Sequence, residues 1–503
     1  MDVVFSSIAV VLQPYNALLV AIGVFIGVLF GCIPGLTATL AIALLSPLTF
    51  NMEPVPAMIM LLGIFAGGMY GGSITAITLR TPGAPANAAT VADGYPLTMQ
   101  GKGGLAVGIS CVAGATGGLI SCTIMIFFAP ILAKFALLFS APEYFSVALF
   151  GLTAVFAVSG SSLIKGLFAA LLGLLFATTG YDPILPMPRF HFGYLELSKG
   201  LPFLPAVIGM FAFAEVFRLM TEYVGDEKYE HVKIGRVIPK PAEIRSVLRF
   251  MFRGGIWGTL IGILPGAGGT IAAYVAYGDA KRASKHPEKF GHGSLEGVAA
   301  PEAGNNAVTG GAVIPMLTLG IPGDSVTAIL LGALTIQGIQ PGPLLFTQHT
   351  DIVYPLFAGM VLSNVFLIII GLTVVRPFSQ IATIPKPLLI SFLTVFGVMG
   401  AYASSGGIFD VWVALLFGVL GFFMERHGFP VAPVVLGMIL GPLLENALRQ
   451  SLLLSDGNPF VFFTRPISCA FMIISILIIV IVTYKQIGKR SADTVMVNEA
   501  GQN

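Results

Sequence analysis

The stretch Thr318-Leu319-Gly320-Ile321-Pro322-Gly323-Asp324-Ser325 sets a helix-breaking Pro-Gly pair, a carboxylate and two hydroxyls inside an apolar run. Residues 71–83 align without gaps on 311–323, so that Thr81-Pro82-Gly83 matches Ile321-Pro322-Gly323. A helix broken in lipid leaves backbone groups without partners at several kcal/mol each, so such breaks persist where protein or a wet cavity surrounds them. Half-helix N-termini exposed there favour anions, while unwound carbonyls with Ser, Thr or Asn oxygens suit a small cation. On that chemistry the substrate-binding candidates are Ser73, Arg80, Thr81, Pro82, Gly83 and Asn87 in the first stretch, and Gly320, Pro322, Gly323 and Ser325 in the second.

A second matched pair of interruptions is Gly31-Cys32-Ile33-Pro34-Gly35-Leu36-Thr37-Ala38-Thr39 and Gly262-Ile263-Leu264-Pro265-Gly266-Ala267-Gly268-Gly269-Thr270. Thr37 and Thr270 in these loops, Asn305 and Asn306 of Pro301-Glu302-Ala303-Gly304-Asn305-Asn306, and Asp324 are the candidates for coupling a cation, with Na+ as a conceivable occupant. Three residues read in two ways. Glu302 is either an ionisable group inside the membrane or a polar cap at a helix entry, and Asp324 is either a cation ligand or the N-cap of a helix beginning near Ser325. Arg80 is either a contact for an anionic substrate or an interfacial snorkelling side chain. A single Pro-Gly break could be a mere kink, but two matched pairs point to a site near the bilayer midplane.

Catalytic patterns are absent from the sequence. Gly101-Lys102 lacks the preceding Gly of a phosphate loop, Gly266-Ala267-Gly268-Gly269-Thr270-Ile271 lacks the third Gly of a dinucleotide fingerprint, and the six histidines include no H-E-x-x-H. No enzyme activity, organic cofactor or nucleic-acid partner is expected, and energy for transport must come from an ion gradient, Na+ or H+, or from a partner.

The elements that must position these residues follow from composition. The 503 residues are 56% hydrophobic and 10% charged, against about 25% charged in soluble domains. Apolar runs long enough to span a bilayer recur from Ala17 to Tyr484. The expectation is an all-α polytopic integral membrane protein of roughly 10–14 membrane segments, built as two related, inverted repeats, each holding a Pro-Gly hairpin and an unwound transmembrane helix. The expected divisions are a first repeat at 1–225, a basic cytoplasmic linker at 226–250, a second repeat at 251–486 and a cytoplasmic tail at 487–503. The run from Ala17 to Leu48 has limbs too short to cross singly. The segment 254–278 has Lys and Arg on both flanks, which a re-entrant hairpin would leave on one side of the membrane. Gly-rich faces such as Gly114-Ala115-Thr116-Gly117-Gly118 suit close helix packing. No Lys or Arg precedes Arg80, which argues against a cleaved leader, and Cys32, Cys111, Cys122 and Cys469 read as free buried thiols.

Gly31-Cys32-Ile33-Pro34-Gly35-Leu36-Thr37, Thr81-Pro82-Gly83, Leu264-Pro265-Gly266, Pro301-Glu302-Ala303-Gly304-Asn305-Asn306-Ala307 and Leu319-Gly320-Ile321-Pro322-Gly323-Asp324 together resemble the motifs of the large membrane subunit of the bacterial tripartite tricarboxylate transporters, the TctA family. The resemblance runs over nearly the whole chain. It implies a secondary uptake system in the inner membrane, in which a periplasmic solute-binding protein delivers a carboxylate and a small membrane subunit accompanies the large one. Substrates of such systems range from citrate and other tricarboxylates to dicarboxylates and aromatic acids, so the resemblance implies an organic acid more firmly than citrate. A homodimer stays open. The rival readings are a stand-alone organic-anion permease, a passive channel and, from another class, an intramembrane enzyme.

Overall fold

The computed structural model describes residues 2–158, 162–182, 184–185, 187–222, 235–381 and 384–500. Of the expected linker 226–250, residues 226–234 lie outside the described residues, as do 501–503 of the expected tail. The described chain is almost wholly helical, with one two-residue ribbon pairing Gly180 with Arg189 and Tyr181 with Pro188. Nine of its helices are long and apolar enough to cross a membrane, from Pro14–Cys32 to Pro466–Tyr484, and four shorter apolar helices accompany them. The protein is an all-α, multi-pass membrane protein, as the composition predicts.

The chain divides into two compact units, Met1–Leu137 with Leu204–Phe422, and Leu138–Phe203 with Phe423–Asn503. The second unit is a bundle around helices Ala141–Val158, Leu163–Ala177, Ala432–Leu454 and Pro466–Ala500. Gly173 packs directly on the backbone of Val434, and Arg465 bonds Glu143. Beside its ribbon, Arg189 and Arg449 pair with Asp182 and Glu445. The backbone N–H groups of Leu185 and Ile184, ahead of Arg449, hold the Asp182 carboxyl below its ordinary range.

The first unit holds every candidate residue. Its framework consists of α1 (Pro14–Cys32), α2 (Ala38–Leu45), α3 (Pro54–Leu79), α4 (Ala88–Met99), α5 (Gly103–Ala136), α6 (Pro241–Ile263), α7 (Gly268–Ala283), α8 (Leu295–Leu319) and α9 (Ser325–Ile336). A glycine ladder decides the packing. Gly23, Gly27 and Gly31 of α1 lie against the carbonyls of Met60, Ile64 and Gly68, and Gly254, Gly258 and Gly262 of α6 lie in the same way against Ala300, Gly304 and Val308. Glycine at every fourth residue leaves one helix face without side chains, so α1 runs parallel to α3, and α6 to α8, at backbone contact.

The stretch 241–283 is a hairpin. Arg253 pairs with Asp279, Arg249 donates to the Ala283 carbonyl, and Ile261 packs with Ala272. The tip is Leu264–Ala267, and the two basic flanks return to one end of the element. The first hairpin differs from its sequence reading in one respect. Its leading limb extends back to Pro14, whose fixed φ suits the first helical turn, and at 19 residues it has spanning length. Only the returning limb, α2, is short, at 8 residues.

Candidate functional site

Helices α3 and α8 end in the same local geometry. The C-cap of α3 is Arg80, at φ 60 and ψ 17, and that of α8 is Gly320, at φ 69 and ψ 22. Both are left-handed, a conformation that glycine takes at no steric cost and that arginine takes at about 1–2 kcal/mol. Behind them the Thr81 N–H reaches back to the Thr75 carbonyl and the Ile321 N–H to the Pro315 carbonyl, both at 3.3 Å. Gly83 then folds onto Gly72 of its own helix, and Gly323 onto Ala312. A side chain on either glycine would enter backbone.

The four interruptions close into a ring. Gly83 rests on the Gly31 carbonyl at the end of α1, and the Gly266 N–H donates to the Gly323 carbonyl at 2.7 Å, so each break touches the hairpin of its own half. Two further contacts cross between halves. The Thr39 and Ser325 hydroxyls share a hydrogen bond of 3.1 Å, and Gly269, at the start of α7, backs onto Ala86 and Asn305. Four short helices begin on this ring: α2, the turn Pro85–Asn87 that leads into α4, α7 and α9. Two of these N-termini, at Pro85–Asn87 and at α7, have no side-chain cap, so their free N–H groups and the positive end of the helix dipole favour an anion.

The sequence candidates fall into three groups. Thr81 and Pro82 are half-buried on the ring beside exposed Pro85, and Gly320, Asp324 and Ser325 are half-buried on its far side. Gly83, Pro322 and Gly323 are buried and shape the backbone there. Thr37 caps α2 by accepting from the Leu40 N–H at 3.3 Å, and Thr270 sits half-buried in the first turn of α7. Asp324 caps α9, accepting from the Thr327 N–H at 2.8 Å while its own N–H donates to Thr327 Oγ1 at 2.9 Å. Arg80 is exposed, with its guanidinium 5.8 Å from the Tyr95 ring centre.

Ser73, Asn87, Asn305 and Asn306 form the third group, a layer behind the ring organised by Glu302. Glu302 is fully buried in α8. The Ser73 hydroxyl lies 2.7 and 2.6 Å from its two carboxyl oxygens, and Thr90 donates to Oε1. Asn87 Nδ2 donates to Ser73 Oγ at 2.8 Å and to the Met69 carbonyl at 3.1 Å, and Asn305 Nδ2 donates to that same carbonyl at 3.0 Å. Asn306 Nδ2 reaches the Glu302 backbone carbonyl at 3.4 Å. The side-chain oxygens of Asn87, Asn305 and Asn306 are buried and accept no hydrogen bond. Ser73 is therefore engaged with a carboxyl of the protein itself.

Sequence reasoning left Thr90 and Asp93 out of the site. Asn87, Thr90 and Asp93 stand three residues apart on one face of the segment leading through α4, and all three face partners. Asp93 is fully buried; its Oδ1 accepts from the N–H groups of Gly291, Gly293 and Ser294 at 2.8–3.0 Å, and Oδ2 accepts from the Tyr277 hydroxyl at 2.9 Å. The i, i+3 spacing of polar residues on an otherwise apolar helix was the available signal.

Broken helices meeting at one point inside an all-α, multi-pass protein define the transporter class. The chain belongs to the tripartite tricarboxylate transporter TctA family, whose model matches residues 17–436. It is 37% identical, over 97% of both chains, to an Agrobacterium vitis protein described as "Uncharacterized 52.8 kDa protein in TAR-I ttuC' 3'region". A second A. vitis protein, described as "Uncharacterized protein in TAR-II ttuC' 3'region", is 38% identical over 44% of this chain and 93% of its own length. As a member of a tripartite family, the chain is one membrane component of a system with partner subunits.

Proposed function

We propose that this chain is the translocating subunit of a binding-protein-dependent importer in the bacterial inner membrane, carrying di- or tricarboxylates inward on a Na+ or H+ gradient. The observation that carries this reading is the ring, because helix N-termini converging on one half-buried surface attract an anion. Substrate carboxylates face the N-terminus at residues 84–87 with Thr81, and the Ser325 hydroxyl across the ring. A small membrane subunit and a periplasmic solute-binding protein complete the system, the latter delivering the acid. The local match between residues 71–83 and 311–323 supports two inverted repeats, with alternating access arising as one part moves against the rest.

The test is uptake of labelled citrate and a panel of dicarboxylates and aromatic acids into proteoliposomes holding the complete complex. Accumulation that needs the binding protein and collapses with the ion gradient is expected. Downhill flux that no gradient drives uphill would instead mean a channel, and uptake without the binding protein a stand-alone permease.

A further inference from the structure

Glu302 poses a question of charge balance that the ring does not answer. It is wholly buried on α8, which is packed among α3, α4, α5, α6 and α7. Among the described residues no Lys or Arg pairs with it; Arg253 of α6 is bonded to Asp279 of α7. The other ionisable side chains on these helices that bear on the site are Tyr70 of α3, Cys111 of α5, Asp93 of α4 and Tyr277 of α7. None is a cation. A carboxylate in such a place needs a compensating positive charge.

The atoms around the carboxyl are hydroxyls, which can both give and take a proton. Asn87 Nδ2 donates to Ser73 Oγ, which turns the single Ser73 proton toward Glu302. Thr90 donates to Oε1 from the other side, and Ser110 of α5 faces the same carboxyl with its buried hydroxyl unpartnered. When Glu302 is ionised it accepts from Ser73 and Thr90. When it is protonated its new O–H can donate to Ser110 or Thr90 Oγ, with the Thr90 proton turning away, while Ser73 keeps donating to the other oxygen. Ser73 stands at hydrogen-bond distance from both carboxyl oxygens, so hydroxyls line the carboxyl in either protonation state. The closed shell fits a proton.

We infer that Glu302 is the proton-binding group of the transport cycle, taking up and releasing one proton on its carboxyl within the cradle of Ser73, Thr90 and Ser110. This rests on the transport reading above and names its coupling ion. Because Asn87 joins the cradle to the turn Pro85–Asn87 on the ring, occupancy of the ring and protonation of Glu302 share a residue.

Two measurements test it. The first needs no substrate: infrared difference spectra of the full chain in lipid, recorded through a pH titration. The expected result is a titrating carboxyl C=O band that is absent in Glu302→Gln and shifted in Ser73→Ala, since the Ser73 bond weakens that carbonyl. A wild-type spectrum without such a band, or a Glu302→Gln spectrum that keeps it, overturns the inference. Ser73→Ala serves if Glu302→Gln does not fold, and an unshifted band there likewise counts against it. The second is citrate and dicarboxylate uptake by the reconstituted complex under an imposed pH gradient. Wild-type accumulation should collapse with a protonophore, and any uptake by Glu302→Gln should be insensitive to it. A variant as protonophore-sensitive as wild type overturns the inference. If the wild-type complex moves no carboxylate at all, the transport reading fails, and the infrared band still decides the proton site.

Discussion

Residues 80–99 and 320–336 begin with the same backbone and carry opposite side chains. Both open on a left-handed C-cap, reach back to the preceding helix over 3.3 Å, fold a glycine onto that helix and start a new helix. In the second segment the helix N-terminus is already occupied, because Asp324 caps it with a carboxylate of the chain's own. In the first, Ala84 stands at the matched position and no side chain caps the turn Pro85–Asn87. Further on, Asn87, Thr90 and Asp93 correspond to Thr327, Leu330 and Ala333. The first segment thus leaves its N-terminus open to an anion and ties its flank by polar bonds to the other half of the chain. The second is self-capped, and its flank packs as apolar core. Similar backbones thus carry different side-chain chemistry, uncapped and polar in the first segment, self-capped and apolar in the second.

Four comparisons break or sharpen this contrast. The largest effect is expected where the segments are alike. Gly83→Val and Gly323→Val each push a side chain into backbone and should cost about 3 kcal/mol, visible as lost folded yield and a lowered thermal midpoint in both. A large loss in one alone would mean that the matched geometry is not equally required. Next comes Asp93→Asn, which turns charge-assisted bonds to three N–H groups into neutral ones and should cost about 2 kcal/mol. Ala333→Gly, at the matched position, should cost about 1 kcal/mol, so equal shifts in thermal midpoint would erase the asymmetry.

Legibility follows the same division. The breaks could be read from sequence because Pro-Gly acts within a turn or two, and the twin stretches advertise themselves by spacing. Gly-rich faces such as that at 114–118 and most spans were equally local, whereas the glycine ladder emerged only once α1 lay against α3 and α6 against α8. What remained hidden is non-local: Thr39 meets Ser325 across 286 positions, and Glu302 finds Ser73 across 229 and Thr90 across 212. Nothing in the run around Glu302 shows how deep it lies, so a cap and a buried carboxyl read alike until α4 and α3 are placed against it. Asp324 shows the converse, since its capping bonds to Thr327 lie three residues away and were within reach of the sequence.

The third comparison reverses the caps. Ala84→Asp gives the first segment a carboxylate at its open N-terminus and should weaken carboxylate binding about tenfold, or about 1.4 kcal/mol, read as a raised KM for uptake. An unchanged KM would remove that N-terminus from the substrate site. The smallest effect is Arg80→Gly, which relieves a left-handed arginine and should raise stability by about 1 kcal/mol in a thermal melt. Gly320→Ala, the mirror change, should lower it by a similar amount.

The central claim, that the ring of four breaks holds the organic acid, is tested most directly by thiol protection. With Cys469 replaced by Ser, because the other cysteines are buried, Thr81→Cys, Ser325→Cys and, as a control in the other unit, Tyr194→Cys are labelled with a maleimide in the reconstituted complex. The carboxylate that the complex transports should slow labelling severalfold at residues 81 and 325 and leave residue 194 unaffected. Labelling of both ring positions at an unchanged rate under saturating transported substrate would contradict the account.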